Sequence, residues 1–255
     1  MDRTRREAMK LGAAALAGIG TIGIMPWRAR AAGDAYATDG GEIGIHPVAH
    51  ASLVMTTPGP VIYVDPVGDP SAYADFPDAD VILITHQHGD HYAPETLAAL
   101  AAHNGARLIV NPAVMEMLPA DLKTRATAVA NGETADAAGI PLRAIPAYNT
   151  TEGRLQYHPK GRDNGYVLEI DGKTVYIAGD TEDIPEMRAL TGIDIAFVPF
   201  NLPYTMTEEQ AASAVAEFRP AVVYPYHYRD SDLDKFETAL KAAADGVEVV
   251  RGPWY

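Results

Sequence analysis

The chain has 255 residues, 47% of them hydrophobic, and no Cys. That excludes disulfides, thiolate zinc sites, iron–sulfur clusters and a thiol nucleophile, so any metal must be held by His, Asp, Glu or Asn. Of 20 basic and 34 acidic residues, six and two fall in positions 1–31, leaving 14 against 32 and a formal charge of −18 over 32–255. Such a surface argues against nucleic acid as a partner and says nothing of oligomeric state.

The first segment is of its own physical class. Arg5-Arg6 and Lys10 precede Leu11–Met25, a charge-free run of Ala, Gly, Leu and Ile, and Ala29-Arg30-Ala31 supplies a small-x-small cleavage site. Fifteen residues are too few for a membrane span, which needs about 20. We read residues 1–31 as a twin-arginine-type export signal, with the periplasm as destination and no stable membrane insertion after cleavage. Residues 32–255 then form one domain.

Strands are expected at 42–45, 51–56 and 61–64, the last two separated by the turn Thr57-Pro58-Gly59-Pro60. The apolar run at 81–85 reads as a buried strand. Helix 94–103 has Pro94 in its first turn and Asn104-Gly105 at its end. Strand 107–110 and helix 112–118 follow, then strands at 127–130, 142–146, 165–170 and 174–178. Asp171-Gly172 between the last two is a hairpin signal. Buried strands at 195–199 and 221–225 flank helix 207–218, which opens on a Thr207-x-x-Gln210 capping box. Helix 233–244 and strand 247–250 close the chain. Strands first, then strand–helix units, fit a layered α/β sandwich.

The run Thr85-His86-Gln87-His88-Gly89-Asp90-His91 follows the strand at 81–85 directly and holds three of the eight histidines. Neutral imidazole is the commonest side-chain metal ligand, and a carboxylate adds a harder oxygen donor. At two-residue spacing in extended backbone His86 and His88 point to one side and can grip one cation; Asp90 and His91 can face a second. Three further strand ends carry ligand types: Asp65 after 61–64, Asp180 after 174–178 with Gly179 permitting a tight turn, and His227 after 221–225.

These residues resemble the metallo-β-lactamase-fold hydrolases over nearly all of 32–255. His86, His88, Asp90 and His91 match the His-x-His-x-Asp-His motif without a gap; Asp180 matches the bridging aspartate, His227 the final ligand and Asp65 the acidic residue of the first motif. His50-Ala51-Ser52, Asn164-Gly165-Tyr166-Val167 and Tyr204-Thr205-Met206-Thr207 resemble small, stand-alone members related to lactonases and phosphodiesterase-type lipid hydrolases. The resemblance implies a four-layer αββα sandwich with two divalent metal ions, usually Zn²⁺, while His/Asp donors also accept Mn²⁺ or Fe²⁺. It implies His86 and His88 on the first metal, Asp90, His91 and His227 on the second, Asp180 as the bridge, Asp90 also steering water, and Asp65 behind a ligand histidine. One departure stands out: where the family supplies a mid-chain histidine, this chain has Asn149, with His158 as the candidate replacement.

The implied activity is a metal-dependent hydrolase that uses a metal-activated hydroxide on an ester, lactone or phosphodiester of a small molecule. His50, Tyr148, Lys160 and Tyr204 are candidates for touching substrate. The alternatives are a β-lactamase, against which Asn149 counts, and a non-catalytic metal-binding protein with a degenerate site.

Overall fold

The computed structural model describes residues 33–255, except the side chains of 103 and 104. The segment read as an export signal lies outside the described residues. Seven strands form one sheet in chain order: β1 (Asp34–Ala37), β2 (Glu42–Ala49), β3 (Ser52–Thr56), β4 (Ile62–Val64), β5 (Val81–Ile84), β6 (Arg107–Val110) and β7 (Ala126–Ala128). Seven more form the second: β8 (Thr134–Ala137), β9 (Ile140–Ala147), β10 (Asp163–Ile170), β11 (Lys173–Ile177), β12 (Ile195–Pro199), β13 (Val222–Tyr226) and β14 (Glu248–Val249).

The two sheets share one topology. In each, the first four strands pair antiparallel and the last three are added in parallel. No short sequence repeat announces this duplication, because it resides in connectivity and hydrophobic alternation.

Alternation builds the layers. Ile62, Val64, Val81 and Leu83 point inward and meet Leu168, Val175, Ile177 and Phe197 between the sheets. Tyr63, Ile82 and Ile84 point outward beneath α1 (Pro94–Asn104), α2 (Pro112–Met117) and α3 (Ala120–Lys123). On the second sheet Tyr176, Ala196, Val198 and Val223 point outward beneath α4 (Pro185–Arg188), α5 (Glu208–Phe218) and α6 (Leu233–Ala243). Central strands covered on both faces are apolar throughout, as β5 is. The result is the four-layer αββα sandwich that the resemblance implied.

Local chemistry agrees with the tertiary outcome. Asp171 and Gly172 both take positive φ, 46° and 81°, as a two-residue hairpin joining β10 and β11 requires. Thr207 and Gln210 form the reciprocal cap of α5. Two strands and two α-helices escape the sequence pattern, β1, β8, α3 and α4, as does a 3-10 turn at Pro70–Tyr73. The two strands are short sheet edges with mostly exposed side chains, and each helix is a single turn, so none carries a usable period. No described helix is long and apolar enough to cross a membrane.

Candidate metal centre

Asp65 follows β4, residues 85–91 follow β5, Asp180 follows β11, Asn201 follows β12 and His227 follows β13. All are carboxyl ends of strands in parallel pairs, so residues distant in sequence arrive at one edge of the sandwich. The chain bends sharply to present them: His50, Asp65, His227 and Arg229 have φ of 52°, 43°, 50° and 44°. Left-handed backbone at non-glycine residues costs about 1–3 kcal/mol each and gathers where structure serves function. Gly179, φ 65°, sits so close to the Asn164 carbonyl that a Cβ would lie 2.6 Å from it.

Among the described residues two groups of donors result, each with ligand atoms within 4.8 Å of one another, His86, His88 and His158, and His50, Asp90, His91 and His227, and a third, His86, His91 and Asp180, overlaps both. Asp180 faces both. Its Oδ2 lies 3.4 Å from His158 Nε2, 3.9 Å from His86 Nε2 and 3.1 Å from His227 Nε2, and its Oδ1 lies 3.3 Å from His91 Nε2.

Hydrogen bonds behind three of the imidazoles, His158, His86 and His91, set their tautomers. Asn149 Nδ2 donates to the Tyr204 carbonyl, so Asn149 Oδ1 accepts from His158 Nδ1 at 2.6 Å. His158 Nε2 is then a bare lone pair, 3.2 Å from His88 Nδ1. The Thr85 hydroxyl donates to Asp65 Oδ2 at 2.6 Å and therefore accepts from His86 Nδ1, freeing His86 Nε2. His91 Nδ1 donates to Asp65 Oδ2 at 2.8 Å, which frees His91 Nε2. A carboxylate or oxygen behind a ligating imidazole is the usual outer shell of a metal site. His91 Nε2, His227 Nε2 and Asp180 Oδ1 are buried without a hydrogen-bond partner. Imidazole nitrogens and carboxylate oxygens that converge this closely, several of them buried without a hydrogen-bond partner, suit a cation among them, so this donor set fits divalent metal.

The electrostatics run the same way. Burial pushes His86 well below the ordinary imidazole range and His158 down to about 4, and it lowers His88 too, so all three are neutral at pH 7. Burial would also lower His91 and His227, but the Asp180 charge outweighs it and raises both. Burial would raise Asp180 and Asp90; His227 with His91, and His227 with His50, outweigh it and hold both carboxyls below the carboxylate range. Around Asp180 and Asp90 the second group thus favours positive charge.

A cavity of about 600 Å³ opens on both groups, lined by His88, Asp90, His158, Asp180 and His227 on its floor. Tyr157, Leu202, Pro203 and Tyr204 make an organic wall, Arg229 stands at the side, and Asn201 contributes an amide whose Nδ2 is buried and unpartnered.

The candidate residues named from sequence separate here. His86, His88, Asp90, His91, Asp180 and His227 come together, and His158 joins them. Asn149 does not face the cluster; it grips His158 from behind. Asp65, fully buried, accepts from the Thr85 amide and hydroxyl and from His91. Tyr204 lines the cavity and His50 contacts Asp90. Tyr148 and Lys160, expected to touch substrate, do not line it. The Tyr148 hydroxyl donates to Glu186, and the Lys160 ammonium caps the same hydroxyl at 3.1 Å. Asn201, Leu202 and Pro203 carry no signal in the sequence beyond following a buried strand, as the other site loops do.

The comparisons with known proteins point the same way. A family model described as a beta-lactamase superfamily domain matches residues 45–227. The UPF0173 metal-dependent hydrolase of Pyrococcus abyssi is 31% identical over 204 residues, 74% of this chain and 87% of that protein. The corresponding protein of Pelotomaculum thermopropionicum is 30% identical over 213 residues, 75% and 90% of the two chains. A solved structure from Parabacteroides distasonis, described as a candidate metal-dependent hydrolase, is 44% identical with a TM-score of 0.79, covering 88% of this chain and 99% of that one. Igni18, a metallo hydrolase of Ignicoccus hospitalis, is 25% identical with a TM-score of 0.67, covering 82% and 95%. The chain belongs to the beta-lactamase superfamily and, within it, to the UPF0173 family of metal-dependent hydrolases.

Proposed function

We propose that this protein hydrolyses an ester, lactone or phosphodiester of a small molecule at a centre of two divalent cations, Zn²⁺ first, with Mn²⁺ or Fe²⁺ as alternatives. The observation that carries this is the convergence of the imidazoles, those of His86, His91 and His158 with tautomers set from behind, on one shared carboxylate, Asp180. His86, His88 and His158 would hold the first ion and Asp90, His91 and His227 the second, with Asp180 facing both groups. Two such ions would lower the pKa of water and polarise the substrate oxygen.

The residues do the rest. Asp90, whose side chain is 39% exposed, reaches the cavity and can orient an attacking water. Tyr157, Leu202 and Tyr204 seat an organic group. Asn201 Nδ2 can donate to a substrate oxygen, and Arg229 suits an anionic substituent. The cavity's volume and the charge of −18 favour a small molecule over a polyanion. His158 supplies the imidazole that Asn149 does not, so the sequence-based objection to β-lactam hydrolysis lapses and a cephalosporin belongs in the substrate panel. Export through the twin-arginine route stays part of this proposal; cell fractionation of the full chain tests it.

The experiment is removal and return of metal. Chelation is expected to abolish hydrolysis of p-nitrophenyl esters, lactones, bis(p-nitrophenyl) phosphate or a chromogenic cephalosporin, whichever the protein turns over. Zn²⁺ or Mn²⁺ is expected to restore it, and His158→Ala to bind one ion fewer. Turnover that survives complete removal of metal would sink the proposal.

A further inference from the structure

The segment 250–255 returns to the metal centre after β14. Trp254 is buried against Phe197 and Tyr226, and its carbonyl accepts the His50 N–H at 3.1 Å. The His50 carbonyl in turn accepts the His227 N–H at 3.0 Å. Tyr255 packs edge-on against Tyr228, and its hydroxyl accepts the backbone N–H of Arg229 at 2.9 Å. The same hydroxyl lies 2.7 Å from His50 Nδ1, while His50 Nε2 lies 3.1 Å from Asp90 Oδ2. The His50 ring also rests on His227, centroids 3.9 Å apart.

The direction of this chain follows from what each group can give. An ionised carboxylate only accepts, so His50 Nε2 carries the proton shared with Asp90. In a neutral ring Nδ1 is then an acceptor. The Tyr255 hydroxyl, with one lone pair taken by the Arg229 N–H, donates its hydrogen to His50 Nδ1. Tyr255 is 63% exposed, so burial does not impose these bonds; the Tyr228 contact and the Arg229 amide aim the hydroxyl.

We infer that His50 is a positioning residue rather than a metal ligand: Tyr255 fixes it as the Nε2–H tautomer, and in that form it holds the Asp90 carboxylate in place for the second ion. This rests on the two-ion reading above. His50 stands close enough to Asp90, His91 and His227 to be counted with them as a ligand, and only the proton on Nε2 separates the two roles. The relay spans 205 positions in sequence and ends on Tyr255, outside the His86–His91 motif.

The test uses the full chain loaded with Zn²⁺ alone, so it needs no substrate. Long-range ¹H–¹⁵N NMR of the imidazoles reads the tautomer of His50 directly. The expected result is a neutral ring protonated at Nε2 and unmetallated. A ring protonated only at Nδ1 and bound to zinc through Nε2, or one protonated at both nitrogens, would overturn the inference. In parallel, chelator competition measures the two affinities. Tyr255→Phe should weaken the second ion by roughly 10–100-fold, the usual effect of an outer-shell change, and leave the first unaltered. His50→Gln, which keeps an N–H toward Asp90, should retain more of that affinity than His50→Ala. Equal loss in the two His50 variants, or no effect of Tyr255→Phe on a wild type that binds two ions, overturns this inference alone. A wild type that binds fewer than two ions overturns the two-ion reading with it.

Discussion

Glu182 lies two residues beyond Asp180, fully buried, and anchors the loop that carries His158. Its Oε2 accepts from the Thr150 amide and hydroxyl, both at 2.7 Å, and from the Thr151 amide and hydroxyl at 2.7 and 2.9 Å. Its Oε1 lies 3.1 Å from Arg154 Nε. That loop closes on itself through the Asn149 amide and the His158 carbonyl, 2.8 Å apart, so Glu182 sets the place of both. In Glu182→Ala the threonine donors lose their acceptor and Arg154 loses its counter-charge. Hydrogen bonds to an ionised acceptor contribute about 1.5–3 kcal/mol each, but four donors share one oxygen and do not add in full. Arg154 keeps 18% side-chain exposure, and the hydroxyls can turn to water. The expected loss is therefore that of removing one partner of a buried pair, about 3–5 kcal/mol. At about 2–4 °C per kcal/mol for a chain of this size, Tm falls by roughly 6–20 °C. With the loop loosened, the first ion should bind roughly 10–100-fold more weakly while the second is unaffected. Urea unfolding of metal-free protein isolates the stability term from metal linkage, and chelator competition reads the affinities. Unfolding and both affinities within error of wild type would refute the assignment of Glu182 as the anchor.

Two further outcomes follow from the fold. Gly165→Ala places a Cβ 2.6 Å from the Ala178 carbonyl oxygen and 2.7 Å from that of Ile177. Backbone cannot swing aside, so a loss of about 1–3 kcal/mol is expected in urea unfolding, and wild-type stability would contradict the strand spacing next to Asp180. At the other end of β11, hydrogen bonds from the Thr38 hydroxyl and the Gly40 N–H hold the Asp171 carboxyl below its ordinary range. A lowered folded pKa stabilises fully above the unfolded value of about 3.9 and less as pH falls through the folded one. Asp171→Asn tolerates the left-handed turn, so its Tm deficit against wild type should be constant near neutrality and shrink below about pH 4. A deficit independent of pH through that range would show that the charge contributes nothing.

Most of the fold was legible because hydrophobic period is a local property. β5, β12 and β13, apolar and buried from end to end, announce themselves, and so do the Asp171-Gly172 turn and the Thr207–Gln210 cap. The edge strands β1 and β8 hide because one partner and exposed side chains leave them no pattern. Within the candidate site, the residues from His86 to His91 are legible for the same local reason, since backbone spacing alone aims them together. Tyr148 and Lys160 misled because proximity in sequence to a site loop does not say which way a side chain turns; theirs face Glu186.

Asn149 shows where the sequence stops. By itself the sequence specified a strand-end cluster of His and Asp donors able to take divalent metal, because ligand type and spacing suffice for that. It could not say that Asn149 stands behind His158 rather than in place of a ligand, nor that Tyr255 reaches His50. Those facts depend on hydrogen-bond direction between groups that meet only after the two sheets have packed, and no local spacing encodes a contact across 205 residues.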